Sequence, residues 1–248
     1  MDFHVIIPAR FQSSRLPGKP LADIAGKSMI QRVYEQAKAS GAQSVAIATD
    51  DKRIQEHVES FSGTVTLTRD DHESGTDRIR EACEKLSLDD DAVVVNVQGD
   101  EPFIPPQTIR QVAKLLAKPD SVMSTLCVPI DEDSDIQNPN IVKVVKTLSN
   151  RAIYFSRSGI PFNRDGQAFD GLPYFRHLGI YGFKFHFLKT FSDLPVSQLE
   201  SCEKLEQLRA LENGYPIEIE VAIESPPAGV DTEKDLLMAI EYAQAQKS

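Results

Sequence analysis

At 248 residues, 41% of them hydrophobic and 26% charged, the chain is long enough to bury a full core as one large domain, or as one domain with a lobe inserted in it. A formal net charge of −10 argues against general attraction to nucleic acid or to an anionic membrane surface, so neither a nucleic-acid partner nor membrane insertion is expected. Cys83, Cys127 and Cys202 are scattered, form no Cys-x-x-Cys pair, and suggest neither a disulfide framework nor a zinc site. The N-terminal segment lacks the basic stretch and apolar core of a signal peptide, and no apolar run approaches the roughly 18 residues of a membrane span. A reduced, cytoplasmic protein is expected.

The first half alternates between two patterns. Residues 3–8, 45–49, 64–68 and 92–97 are short apolar runs rich in β-branched residues, as parallel strands covered on both faces are. Residues 28–40, 52–60 and 76–86 are helix-like. In the first of these, Met29, Ile30, Val33, Tyr34 and Ala37 recur on one helical face, and Gly41 stops the helix. This alternation predicts an α/β fold with a doubly wound, mixed but mostly parallel sheet that binds ligands at the carboxyl ends of its strands.

The pattern changes near Pro129. Residues 141–148 alternate like an antiparallel strand and 176–183 read as another, with a loop rich in Gly, Pro, Asn and Asp over 159–174. Segment 129–187 is therefore expected to form a smaller, β-containing inserted lobe, with 1–128 and 188–248 as the α/β core. In 141–148, Ile141, Lys143, Val145 and Thr147 share one face, and Val142, Val144, Lys146 and Leu148 the other. Both faces carry apolar residues, so one can meet the main body and the other a partner. A helix over 203–213, a strand over 217–221 and a closing helix over 233–245 return to α/β. Repeats and low-complexity segments are absent.

The loop after the first strand carries the first chemical signal. Arg10, Arg15 and Lys19 fall in a stretch with no carboxylate between Phe3 and Ala22, although the protein as a whole is acidic. Three cations beside Ser13, Ser14 and Gly18, at a strand's carboxyl end, suit a polyphosphate; the alternative is a solvated basic loop. No Gly-x-Gly-x-x-Gly follows the strand, so a dinucleotide fingerprint is absent. Gly26-Lys27-Ser28 mimics the end of a Walker loop, but Leu21 stands where its first glycine belongs, which makes Lys27 a turn residue at a helix start.

PARFQSSRLPGKPL (8–21), ATDD (48–51), SGTDR (74–78), NVQGDEP (96–102), YFSR (154–157), RHLGIYG (176–182), LEQLR (205–209) and GVDT (229–232) follow one another along the chain. Together they resemble the sugar-acid cytidylyltransferases, specifically the 3-deoxy-manno-octulosonate cytidylyltransferase (CMP-KDO synthetase) family, in family order from residue 4 to about 240. Ser28 departs from the family's usual Pro, and Pro161-Phe162 stands where many members have Pro-Trp.

The resemblance implies a nucleotide-diphospho-sugar transferase-like fold and a homodimer in contact through the 129–187 lobe. It implies that the anomeric 2-hydroxyl of 3-deoxy-manno-octulosonate (KDO) attacks the α-phosphorus of CTP, giving CMP-KDO and pyrophosphate for bacterial lipopolysaccharide biosynthesis. Arg10, Lys19 and Asp100 are then catalytic, and Ala9, Arg10, Ser14, Arg15, Lys19, Asp50, Ser74 and Arg78 bind the nucleotide. Gln98, Arg157, His177, Tyr181, Glu206 and Gln207 bind the sugar acid. Mg2+ is the implied cofactor, with Asp100 and Asp231 as its ligands, since Mg2+ takes one or two carboxylates plus phosphate oxygens.

Plainer readings stand beside these. Asp100-Glu101-Pro102 reads as a polar turn, and Asp231 or Thr232 as an N-cap, with Thr232 and Asp235 fitting a capping box that leaves Asp231 free. Asp77-Arg78 reads as a helical surface pair, Glu206-Gln207 as an exposed helical pair, and His177 as a structural histidine. His4, His57, His72, His177 and His186 show no metal-ligand spacing. Competing functions are a cytidylyltransferase for a related sugar acid such as the 8-amino analogue, a sugar-1-phosphate nucleotidyltransferase, and a non-catalytic nucleotide-binding regulator. Intact Lys19, Asp100 and Asp231 argue against the last.

Overall fold

In the computed structural model, which describes residues 1–12, 15–72, 74–164 and 174–246, the early hydrophobic runs become strands covered on both sides. The chain starts with β1 (His4–Ala9), passes through a loop and a small hairpin, β2 (Asp23–Ile24) and β3 (Lys27–Ser28), and enters α1 (Met29–Ala39). β4 (Ser44–Thr49), α2 (Lys52–Ser60), β5 (Val65–Leu67), α3 (Gly75–Lys85) and β6 (Val93–Asn96) complete the alternation. Side-chain caps set three of the helix starts: Ser28 accepts from the Gln31 N–H, Asp51 from Arg53 and Ser74 from Asp77. α4 (Pro106–Leu115), β7 (Met123–Pro129), α5 (Asp133–Ile136), β8 (Lys143–Lys146), β9 (Ala152–Ser156) and β10 (Phe175–Lys184) follow. The chain closes with α6 (Phe185–Asp193), α7 (Gln198–Glu203), α8 (Leu208–Glu212), β11 (Ile217–Val221) and α9 (Glu233–Ala245).

Among the described residues the main sheet runs β11-β7-β10-β6-β1-β4-β5. β1 is parallel to β4 and β6, β4 to β5, and β11 to β7; β10 alone on this path is antiparallel to its neighbours. The sheet is mixed and mostly parallel, as expected. Val5 and Ile7 of β1 pack with Ile30, Val33, Ile109 and Val112 of α1 and α4 on one face. Ile6 faces the other way, into Ile79, Ala82, Phe187 and Leu188 of α3 and α6. Two buried faces explain why the runs are apolar without alternation. Burial pushes the Cys83 and Cys127 thiols up to about 12, so both are neutral packing residues.

Segment 129–187 does not stand apart from the core as the sequence pattern suggests. Its strand β10 lies in the middle of the main sheet, between β6 and β7, and only the β8–β9 pair extends off the sheet path. β7, which receives β10, has the fully buried Ser124 and Thr125 in its centre, so its strand character is weak in hydropathy. The helix expected over 203–213 is two helices. α7 ends at Glu203, Lys204 takes a left-handed conformation (φ 55°), and α8 begins at Leu208. Residues 165–173, most of the expected 159–174 loop, lie outside the described residues.

Candidate active site

The carboxyl ends of β1 and β6 lie side by side, and the segments leaving them approach closely. A Cβ on Gly99 would sit 2.9 Å from the Pro8 carbonyl oxygen, so the turn after β6 needs glycine there. This brings Gln98 and Asp100 beside Ala9 and Arg10. The Val230 N–H donates to the Asp100 carbonyl at 2.9 Å and joins a third segment to the same place. Thr232 caps α9 in a capping box with Asp235, and the Asp231 side chain is left to face the loop. The cap and the facing carboxylate coexist.

Lys19 connects these segments. Its Nζ donates to Asp100 Oδ2 at 2.6 Å and to Asp231 Oδ1 at 2.9 Å, while Arg15 reaches the same Asp231 oxygen at 3.1 Å. The Lys19 side chain is only 14% exposed. Burial by itself lowers its pKa, and the two carboxylates outweigh that and raise it. Beside it, burial and the Asp100 charge push the Glu101 carboxyl up to about 7, with Arg176 pulling the other way. A cavity of about 410 Å3 is lined by Ala9, Arg10, Arg15, Lys19, Gln98, Asp100 and Asp231. Seven of the expected site residues therefore share one cleft, which is not what a solvated loop or a mere polar turn would do. No cluster of three or more His, Cys, Asp or Glu side chains able to hold a metal occurs among the described residues. Two carboxylates facing an open cleft fit an ion that draws its remaining ligands from phosphate and water.

The other expected nucleotide residues flank this cleft. Arg10 donates to the carbonyls of His72 and Ser74. The Ser74 hydroxyl caps α3 and donates to Asp77 Oδ2 at 2.9 Å. Arg78 is fully buried, which removes the surface-pair reading. It donates to Thr68 Oγ1 at 2.6 Å and pairs with Asp50 Oδ1 at 3.2 Å, while its Nε and Nη2 have no hydrogen-bond partner among the described residues. Burial lowers its pKa and Asp50 opposes the shift. Ser14 lies outside the described residues.

On β10, His177 and Tyr181 point the same way, their rings 5.4 Å apart, with Phe155 closing on His177 at 4.9 Å. His177 Nε2 meets Thr125 Oγ1 at 2.9 Å, and burial lowers its pKa to about 3, so the ring is neutral. Burial, with Glu206 nearby, raises the Tyr181 hydroxyl well above its ordinary range. Glu206 accepts from Thr76 Oγ1 at 2.7 Å; its Oε1 lies 3.9 Å from Arg209 Nη2 as an ion pair, and neither that oxygen nor the Gln207 Nε2 has a hydrogen-bond partner among the described residues. Burial raises Glu206 as well. Gln207 itself is buried, so these two are not an exposed helical pair.

Arg157 stands apart. Its Nε donates to the Glu203 carbonyl at 2.7 Å and its Nη1 to the Pro139 carbonyl at 2.9 Å, and its backbone N–H reaches Glu203 Oε2 at 2.9 Å. None of these contacts is with His177, Tyr181 or Glu206. Thr76, Thr125 and Glu203, which orient the candidate residues, are not singled out by the sequence pattern. Thr76 falls inside the SGTDR stretch, whereas nothing in the sequence marks Thr125.

Residues 4–222 match the family model described as Cytidylyltransferase. The 3-deoxy-manno-octulosonate cytidylyltransferase of Pseudoalteromonas translucida (strain TAC 125) is 51% identical over 251 residues, covering 99% of each chain. That of Francisella philomiragia is 55% identical over 240 residues, covering 95% of this chain and 96% of its own. The solved structure of CMP:2-keto-3-deoxy-manno-octonic acid synthetase complexed with CTP superposes with a TM-score of 0.91 at 40% identity, covering 100% of both chains.

The neutral His177 sets an acid limb of stability. As pH falls through 6.5 the unfolded chain gains a proton that the folded chain refuses until about 3, so stability is lost across that window. By pH 5 the loss should approach about 2 kcal/mol relative to pH 7. Urea unfolding at both pH values should show His177→Gln losing less than the wild type; equal losses would place His177 in contact with water.

Proposed function

The chain belongs to the cytidylyltransferases, and among them to the 3-deoxy-manno-octulosonate cytidylyltransferase family, and from that premise we propose that it transfers CMP from CTP to 3-deoxy-manno-octulosonate and releases pyrophosphate. It is a nucleotidyltransferase. The single observation that carries the assignment of this chemistry to the cleft is the meeting of Lys19, Asp100 and Asp231 beside Arg10 and Arg15.

The anomeric 2-hydroxyl oxygen forms a bond to the α-phosphorus as the bond to the bridging oxygen of the leaving pyrophosphate breaks. Charge builds on the transferring oxygens and on the leaving group, so positioning and neutralisation dominate the catalysis. Arg10, Arg15 and Lys19 supply that positive charge in an otherwise acidic protein. Asp100 and Asp231 would hold Mg2+, which when bound would neutralise and orient phosphate oxygens. Ala9, Ser14, Asp50, Ser74 and Arg78 serve the cytidine and phosphate side, with Arg78 fixing Asp50.

The acceptor carries a carboxylate and several hydroxyls, and its pocket needs donors and acceptors that are not already spent. Gln207 Nε2, buried without a hydrogen-bond partner among the described residues, supports that role, as do Glu206, Tyr181 and neutral His177, with Gln98 lining the neighbouring cleft. Arg157 contributes through the β9 end that it clamps to Glu203. The product is an activated sugar acid for lipopolysaccharide synthesis in the cytoplasm. No helix among the described residues is long and apolar enough to cross a membrane. Leu148, Ile153 and Phe162, all in segment 129–187, are large apolar side chains left exposed, and they support a homodimer contact there.

Asp100→Asn and Asp231→Asn should each lower turnover about 100-fold or more with the thermal midpoint little changed, and EDTA should abolish activity that added Mg2+ restores. Normal turnover in both variants would remove the metal assignment. Gln207→Ala should raise the KM for the sugar acid far more than that for CTP, whereas equal effects would place Gln207 outside the acceptor pocket. Light scattering should give the mass of two chains; a strictly monomeric, fully active protein would contradict the dimer.

A further inference from the structure

One ammonium group occupies both carboxylates that a divalent ion would need. Lys19 Nζ bonds Asp100 Oδ2 and Asp231 Oδ1 together, at 2.6 and 2.9 Å, and Arg15 takes the same Asp231 oxygen at 3.1 Å. Two cations therefore balance two anions at this place. A divalent ion entering alone competes with Lys19 for the same oxygens and adds two positive charges to a partly buried place. A triphosphate changes that balance, because it brings negative charge of its own and offers Lys19 a new partner. The lysine has a flexible four-carbon stem on a fixed backbone. Gly18 holds the left-handed conformation at φ 69°, and the turn that Lys19 begins closes with the Ala22 N–H on the Lys19 carbonyl at 3.1 Å. The ammonium can redirect without moving the main chain.

We propose that Lys19 is a resident counter-ion that keeps the metal site closed until a nucleoside triphosphate draws it away, so that metal and nucleotide enter as a coupled pair. The proposal rests on the reading of Asp100 and Asp231 as metal ligands. It assigns Lys19 a second task besides neutralising phosphate, which is preventing metal binding ahead of the nucleotide. By linkage, whatever factor the nucleotide adds to metal affinity the metal adds to nucleotide affinity.

Mn2+ is the probe, followed by electron paramagnetic resonance of the full-length protein without nucleotide and by the thermal midpoint of the same samples. The wild type should bind Mn2+ weakly, and Lys19→Gln about tenfold or more tighter, with a midpoint that Mn2+ raises in the variant but not in the wild type. Lys19→Arg, which keeps the charge, should behave like the wild type, and adding Asp100→Asn to Lys19→Gln should abolish the gain. CTP without sugar acid should bring Mn2+ onto the wild-type protein in an Asp100-dependent way. If the wild type without nucleotide binds Mn2+ as tightly as Lys19→Gln, and both lose it with Asp100→Asn, the metal ligands stand and the counter-ion role is overturned. If no sample binds Mn2+ through Asp100, with or without CTP, the metal reading itself falls and takes the proposal with it.

Discussion

A single lysine ammonium ties together three stretches of chain that lie far apart in sequence. Lys19 is separated from Asp100 by 81 residues and from Asp231 by 212, yet it bonds both. The rest of the cleft follows from that tie and from the sheet behind it. Pairing of β1 with β6 sets the loop of cations beside Asp100, the Gly99 turn allows the close approach to Pro8, and the Thr232 cap turns Asp231 inward. The protein is strongly acidic overall, but its acids at this end are matched by cations that have no acidic neighbours in sequence. Their partners are reached only by folding.

The region around His177, Tyr181 and Glu206 is built on a different principle. Here buried polar atoms lack a hydrogen-bond partner among the described residues: Gln207 Nε2 and Asn96 Oδ1. Each such atom costs about 1–3 kcal/mol when left unsatisfied. Groups of this kind persist in native structures where a ligand or ordered water completes them. Rigid supports surround them. Thr76 fixes Glu206, Thr125 fixes His177, and the fully buried Lys143 donates to the carbonyls of Asn138, Ile141 and Arg157, holding the loop before β8 against the end of β9. Lys143 illustrates how a charged residue in an alternating strand can be a clasp and not a surface position.

Local features of this fold are legible in the amino-acid sequence, and non-local ones are not. The first four core strands, α1, α2, β11 and α9 stand close to where hydrophobic period, capping residues and Gly41 put them, because those signals act within a few residues. The capping role of Thr232 and the free Asp231 are legible in the same way. The central place of β10 is not, since strand order is decided by pairing across the sheet and leaves no trace in the periodicity of the strand itself. The break at Lys204 depends on a left-handed residue that is not glycine, the least visible kind of helix stop. The motifs point to the cleft residues, but composition and spacing alone cannot place Arg78 in the interior or spend the Arg157 guanidinium on backbone carbonyls.

Whether this cleft joins CMP to a sugar acid can be read in one experiment, phosphorus NMR of the reaction mixture. With CTP, Mg2+ and 3-deoxy-manno-octulosonate all present, pyrophosphate and a CMP-linked phosphodiester should grow in equal amounts. Neither should form when any one of the three is left out. CTP that stays intact in the complete mixture, or turnover that runs as well with a sugar 1-phosphate as acceptor, would contradict this chemistry.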